Sequence, residues 1–228
     1  MTRRHLGTTL AATQLVNRSG RVGEARYPTS LAGIDHGEAR ERVHAALCAI
    51  EPLDATEADH RADALAWVRS DAPIWRTAKP ATPPKHLVAY FVLVDVAGRS
   101  CLLVDHRLAG LWLPTGGHVE PAEDPAATVD RECREEVGFE APLLGGLSSQ
   151  PLFVTQRVTG GLDPGHVDVS LWYVCDADAR RPVEFDPREF RAARWWPLDE
   201  LADADAAGFD PNLSRFVMKL LGELDVRA

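Results

Sequence analysis

A mixed α/β or α+β domain behind a helical N-terminal extension is the architecture this sequence predicts. Three observations carry it. β-Rich apolar runs occur both side by side and separated by helical segments. Two stripes of helical period precede a proline cluster at Lys79-Pro80-Ala81-Thr82-Pro83-Pro84. After that cluster the texture changes to runs of Val, Leu, Phe and Tyr, so a domain boundary is expected near residue 85.

Residues 1–34 show no sustained periodicity, and residues 1–35 read as a disordered basic tail. Residues 1–30 hold Arg3, Arg4, Arg18, Arg21 and Arg26 against Glu24 alone. The first helix is expected between His36 and Ile50, with Val43, Ala46, Leu47 and Ile50 on its apolar face. The second opens at Asp54-Ala55-Thr56-Glu57. There Asp54 can cap and Glu57 can reach back, and Ala58, Ala62, Leu65 and Val68 form the apolar face. The pair is expected to pack on the main domain or on a partner chain, the latter giving a homodimer. The proline cluster completes this extension (36–85) as an extended, semi-rigid linker.

In the main domain (86–228), His86 to Val96 and Cys101-Leu102-Leu103-Val104 read as strands joined by the turn Ala97-Gly98-Arg99. Further strands are expected at Pro151–Arg157, Val167–Cys175 and Arg194–Pro197, with a turn or loop at Thr159–Gly165. Helices are expected at Pro125–Val137 and from Asn212 to about Leu224.

Composition removes several function classes. The chain has 228 residues, a net charge of −9 and no apolar run of the ~20 residues a membrane span needs. The acidic balance argues against binding a nucleic-acid polymer. Cys48, Cys101, Cys133 and Cys175 form no C-x-x-C pair, so neither a zinc ribbon nor a disulfide scaffold is indicated. Small buried thiols in a reducing cytoplasm are expected. The start resembles a twin-arginine export signal, but the stretch after it is poor in large apolar residues, so a cytoplasmic location is expected.

The chemistry is concentrated between Gly117 and Phe139: a glycine-rich turn, then a helix with a dense acidic end. Asp124-Pro125 suits an N-cap and first helical position, and Gly138 suits a helix end. Glu132, Glu135 and Glu136 stand at i, i+3 and i+4, which stacks three carboxylates on one face. They repel one another and oppose the helix macrodipole. A solvated acidic face accounts for that pattern, and so does a site for a hard divalent cation. Arg131 can pair with Glu123 and tie the helix to the preceding loop.

Spacing separates the two readings. The stretch resembles the signature of the Nudix hydrolases, G-x5-E-x7-R-E-U-x-E-E-x-G-U with U a bulky aliphatic residue. Gly117, Glu123, Arg131, Glu132, Glu135, Glu136 and Gly138 occupy its seven fixed positions. Cys133 departs from the aliphatic preference, Phe139 fills the last apolar place, and Pro114-Thr115-Gly116-Gly117 keeps the double glycine that usually precedes the box. The resemblance covers about 86–222 and implies an α/β/α sandwich around a mixed sheet. It implies a pyrophosphohydrolase that cleaves a nucleoside diphosphate linked to another moiety, with Mg²⁺ or Mn²⁺. Glu135, Glu136 and the Gly116 carbonyl would bind metal. Glu132 would share it or act as general base. Arg131 would complete the catalytic set by orienting the helix, with Glu123, Gly117 and Gly138 as structural supports. Some members add a glutamate from a loop before a late strand, for which Glu189 is the candidate. Arg107 is a candidate phosphate contact and Asn212 a candidate base contact. His118 and Glu120 occupy variable positions of the box, where solvated roles are expected. His166 and Asp168 share one strand face and either line the pocket or form a structural pair.

The substrate is read from what surrounds the box. The NADH-cleaving group carries S-Q-P-W-P-F-P-x-S; Ser149-Gln150-Pro151 matches, and Leu152-Phe153-Val154-Thr155 does not. The leading expectation is a nucleoside triphosphate or modified nucleotide cleaved to a monophosphate and pyrophosphate. A dinucleotide such as NADH is the alternative substrate. A nucleotide-sensing module without turnover is the alternative function, disfavoured because every carboxylate of the box is kept.

Overall fold

The computed structural model describes residues 36–79, 81–145, 150–159, 165–204 and 207–227. The expected basic tail, Ser149 and most of the 159–165 loop lie outside the described residues. The elements are α1 (His36–Ala49), α2 (Ala55–Arg69), β1 (Lys85–Asp95), β2 (Ser100–His106), β3 (Leu111–Leu113), β4 (Thr115–His118), α3 (Pro125–Val137), β5 (Phe153–Thr159), β6 (His166–Asp176), β7 (Phe190–Pro197), α4 (Leu198–Ala202) and α5 (Leu213–Arg227).

The strands form one seven-stranded mixed sheet in the order β3-β2-β1-β6-β5, with β4 also on β1 and β7 also on β2. β1 and β6 run parallel, while the other pairings are antiparallel. The continuous apolar runs of β1 and β6 follow from their central place, because such strands bury both faces. Alternation divides them between two cores. Leu87, Ala89, Phe91 and Leu93 of β1 join Val169, Leu171, Tyr173 and Cys175 of β6 on one face. Val92, Val94, Trp172 and Val174 point to the other. The first core is covered by α1 (Ala39, Val43, Leu47), α2 (Ala64, Val68) and α3 (Val129, Cys133, Val137). The second is covered by Leu198 and Leu201 of α4 and by Phe216, Val217 and Leu220 of α5. The result is the expected α/β/α sandwich.

Of the two packings expected for the helical extension, the one on the main domain is seen: its apolar residues share a core with the sheet. Four local expectations are corrected. The buried face of α2 is Glu57, Ala64 and Val68, while Ala58 and Ala62 are exposed. An acid can sit there because Glu57 is fully satisfied. Its Oε2 accepts from the Leu53 N–H at 2.6 Å, and its Oε1 from the Val154 N–H at 3.3 Å and from Lys219 Nζ at 2.8 Å. The proline segment folds back, with the Thr77 N–H donating to the Thr82 carbonyl at 2.7 Å and the Thr82 N–H to the Ala78 carbonyl at 3.0 Å. The glycine-rich turn is in part a strand: β4 pairs with β1 from Val88↔His118 to Phe91↔Thr115. Glycine is required there because a Cβ on Gly116 would run into the Tyr90 ring and the Ala89 carbonyl. Cys101, Cys133 and Cys175 are buried as expected, whereas Cys48 is exposed.

Candidate functional site

The helix α3 is fixed at both ends. Asp124 caps it, its Oδ1 accepting from the Ala126 N–H at 2.9 Å, and Pro125 fills the first turn. Gly138 ends it in the left-handed region with φ 76°. Between these ends Arg131 organises the acidic face. Its Nε and Nη2 donate to the two carboxylate oxygens of Glu123 at 3.0 and 2.9 Å. Nη1 donates to Glu132 Oε1 at 2.6 Å, and Nη2 also reaches the His118 carbonyl at 3.2 Å. Glu123 additionally accepts from Thr128 Oγ1 at 2.7 Å and the Glu120 N–H at 3.0 Å. The loop, the helix and the end of β4 are therefore one hydrogen-bonded unit, with a bidentate Arg–carboxylate fork at its centre. Burial opposes ionisation of Glu123, but these donors hold its carboxyl below the usual range.

Three carboxylates face the adjoining cavity. Glu135 is exposed, and Glu132 is largely covered. Glu136 receives the Gly116 N–H at 3.0 Å. Burial, followed by the charge of Glu132, pushes the Glu136 carboxyl up to about 9. Burial also raises Glu132, against the pull of Arg131. A Cβ on Gly117 would fall on the Glu132 carboxylate, so that glycine makes room for the acid. The donor set is made of oxygen alone and is crowded with negative charge, which fits a hard divalent ion of the Mg²⁺ or Mn²⁺ type.

The cavity holds about 1420 Å³. Gly116, Gly117, Arg131, Glu132, Glu135, Glu136 and Glu189 all line it. Glu189 enters from the segment before β7, with its Oε1 3.9 Å from His106 Nε2. Two expected contacts lie outside this lining. Arg107 donates from Nε to the Pro187 carbonyl at 2.8 Å and so holds the Glu189 loop. Asn212 Oδ1 accepts from Arg215 Nη1 at 3.0 Å beside the start of α5. His118 differs from its expected solvated role. It lines the cavity beside His86, and burial drives its imidazole down to about 3. Arg76 and Lys79 also line the cavity. Sequence reasoning missed both because they belong to the linker segment, where no motif marks them. Their positive charge was the available signal.

Residues 84–217 match the family model described as the NUDIX domain. A curated protein of Streptomyces rubellomurinus, named CMP-5'-(N-acetyl-N-hydroxy-3-aminopropyl)phosphonate hydrolase, is 32% identical over 125 residues. That match takes in 53% of this chain and 55% of the relative, so the chain spans about half the length of the relative. Two solved structures are similar in outline. The E. coli dihydroneopterin triphosphate pyrophosphohydrolase has 14% identity and a TM-score of 0.48, covering 69% of this chain and 100% of that one. A C. elegans Ap4A hydrolase binary complex has 18% identity and a TM-score of 0.48, covering 61% and 98%.

Proposed function

Because the chain belongs to the Nudix family, we propose that it is a metal-dependent pyrophosphohydrolase acting on a nucleoside diphosphate linked to another moiety. A nucleoside triphosphate or modified nucleotide, cleaved to a monophosphate and pyrophosphate, is the leading substrate. The observation that carries the reading is the convergence of Glu132, Glu135, Glu136 and Glu189 on one cavity, with Arg131 locking the helix that supplies three of them. The curated relative supports the substrate class, since its name describes hydrolysis of a compound in which CMP is joined to a second group.

Mg²⁺ or Mn²⁺, held by Glu132, Glu135, Glu136 and the Gly116 carbonyl, would supply charge neutralisation at the diphosphate. The chain's own residues do the rest. Arg76 and Lys79, which line the cavity, attract the phosphates. Arg131 keeps Glu132 oriented, and its charge pulls against the burial that raises that carboxyl. Glu189 is half-exposed and outside the Arg131 network, so it is the group placed to take the proton of the attacking water.

The test is a panel of nucleoside triphosphates, modified nucleotides, nucleotide-linked compounds and NADH, incubated with full-length protein and Mg²⁺. Products are identified by mass. Release of a nucleoside monophosphate that disappears in Glu135→Gln and Glu136→Gln supports the reading. Binding without turnover across the panel contradicts it and favours a nucleotide-sensing module.

A further inference from the structure

Beside the cavity, but outside the carboxylate cluster, three strands bring together side chains that the proposed hydrolysis does not use, of which His118, His166 and Asp168 line it. His86 comes from β1, His118 from β4, and His166 and Asp168 from β6. The sheet register explains the meeting. His86 is paired with Asp168 across β1–β6, and Val88 with His118 across β1–β4. One ligand atom from each of the four lies within 4.8 Å of the others. His86 is fully buried. Its ring lies 4.9 Å from that of His118 and is stacked on that of His166 at 5.1 Å.

The hydrogen bonds around His86 decide what the group can do. Its Nδ1 is 2.8 Å from the Pro83 carbonyl oxygen. A carbonyl only accepts, so Nδ1 carries the proton, and a neutral His86 presents a bare Nε2 lone pair to the cluster. That nitrogen stands 3.1 Å from Asp168 Oδ1, itself an acceptor when ionised, yet makes no hydrogen bond. His118 Nε2 is likewise buried without a hydrogen-bond partner. His166 Nε2 approaches the same carboxylate oxygen at 3.3 Å. Two buried imidazole nitrogens without a hydrogen-bond partner therefore stand in one cluster with His166 and Asp168, and a cation bound among the four would satisfy both.

We propose that His86, His118, His166 and Asp168 form a second metal site, for a zinc-class ion held by three imidazole nitrogens and one carboxylate oxygen. Borderline-soft nitrogen ligands select Zn²⁺ over Mg²⁺, which keeps this site chemically separate from the oxygen-only cluster on α3. Ligands about 2.0–2.1 Å from a tetrahedral zinc stand roughly 3.4 Å apart, close to the 3.1 and 3.3 Å already present. The Pro83 carbonyl supplies the outer hydrogen bond that fixes a metal-binding histidine in the required tautomer. With four protein ligands the ion is structural. It joins β1, β4 and β6 at the cavity wall, and it stands whether or not the hydrolase reading holds.

The experiment uses the full-length protein, stripped of metal and then titrated with Zn²⁺ or Co²⁺ in excess Mg²⁺. One equivalent of Zn²⁺ is expected by elemental analysis, with a rise in Tm. Co²⁺ is expected to give the intense visible absorption of a four-coordinate ion. His166→Asn and Asp168→Asn should lose that band and the Tm rise, while Glu136→Gln keeps both. His86 is buried, so the two β6 variants, checked for folding by circular dichroism, carry the test. Absence of stoichiometric uptake overturns the proposal. So does a band that survives in both β6 variants, or one that disappears in Glu136→Gln. An unchanged metal content with a raised KM in His166→Asn also overturns it, and assigns these residues to substrate contact.

Discussion

Glu57 of α2 and Lys219 of α5 form a buried ion pair, with Nζ at 2.8 and 3.0 Å from the two carboxylate oxygens. The pair links a helix of the N-terminal extension to the last helix of the domain at the edge of β5, where Glu57 also takes the Val154 N–H. Removing one partner leaves the other charged and unpaired in a dry site, which costs about 3–5 kcal/mol. Lys219→Met is therefore expected to lower the unfolding free energy by about 3–5 kcal/mol, read in a urea titration as a fall in midpoint equal to that energy divided by m. Glu57→Gln/Lys219→Met should recover part of the loss, because no lone charge remains. Equal midpoints for Lys219→Met and wild type would show that the pair does not hold the extension in place.

Gly117 and Gly145 make a matched pair of substitutions. A Cβ at Gly117 would overlap the Glu132 carboxylate, while nothing among the described residues lies within 4 Å of one at Gly145. Gly117→Ala should reduce kcat/KM by about 10–100-fold through displacement of Glu132. Gly145→Ala should leave kcat/KM within twofold or so. Steady-state kinetics on the substrate found by the panel measures both.

Arg131→Lys tests the fork. Lysine keeps the charge but cannot donate to both oxygens of Glu123 while also holding Glu132 and the His118 carbonyl. A fall in kcat of roughly 10–100-fold with a retained melting cooperativity is expected, since a supporting residue is lost and the core is untouched. A variant with wild-type kcat would remove Arg131 from the machinery.

Acid sensitivity should include a contribution from Asp54. Its carboxyl is lowered from 3.8 to about 2, first by the hydrogen bond from Arg215. A depressed folded-state value gives stabilisation that is complete above pH ~4 and is lost as pH falls towards 2. The carboxylate is partly exposed, so the effect is small. Urea midpoints between pH 2 and 5 should fall less steeply for Asp54→Asn than for wild type. Parallel curves would remove the Asp54–Arg215 contact from the acid response.

Sequence and structure agree where a local pattern fixes the outcome. α3 runs from Pro125 to Val137 as its cap and glycine stop indicate, and the Glu123–Arg131 contact follows from the spacing of those residues. They part where long-range contacts decide. Glu57 reads as a capping residue at the start of α2, and its burial shows only when Lys219, far along the chain, arrives beside it. β4 looks like a turn because its glycines carry no strand propensity, yet β1 recruits it. The histidine cluster could not be assembled from spacing, since its members come from three strands and only the sheet register brings them together.

Hydrolysis by full-length protein, with Glu136→Gln as the reference, is the most direct test of the carboxylate centre. At least one nucleotide of the panel should be cleaved at a phosphoanhydride bond in Mg²⁺, with turnover abolished by chelation and at least about 100-fold lower in Glu136→Gln. Turnover that survives chelation and is unchanged in Glu136→Gln would contradict the assignment of these glutamates.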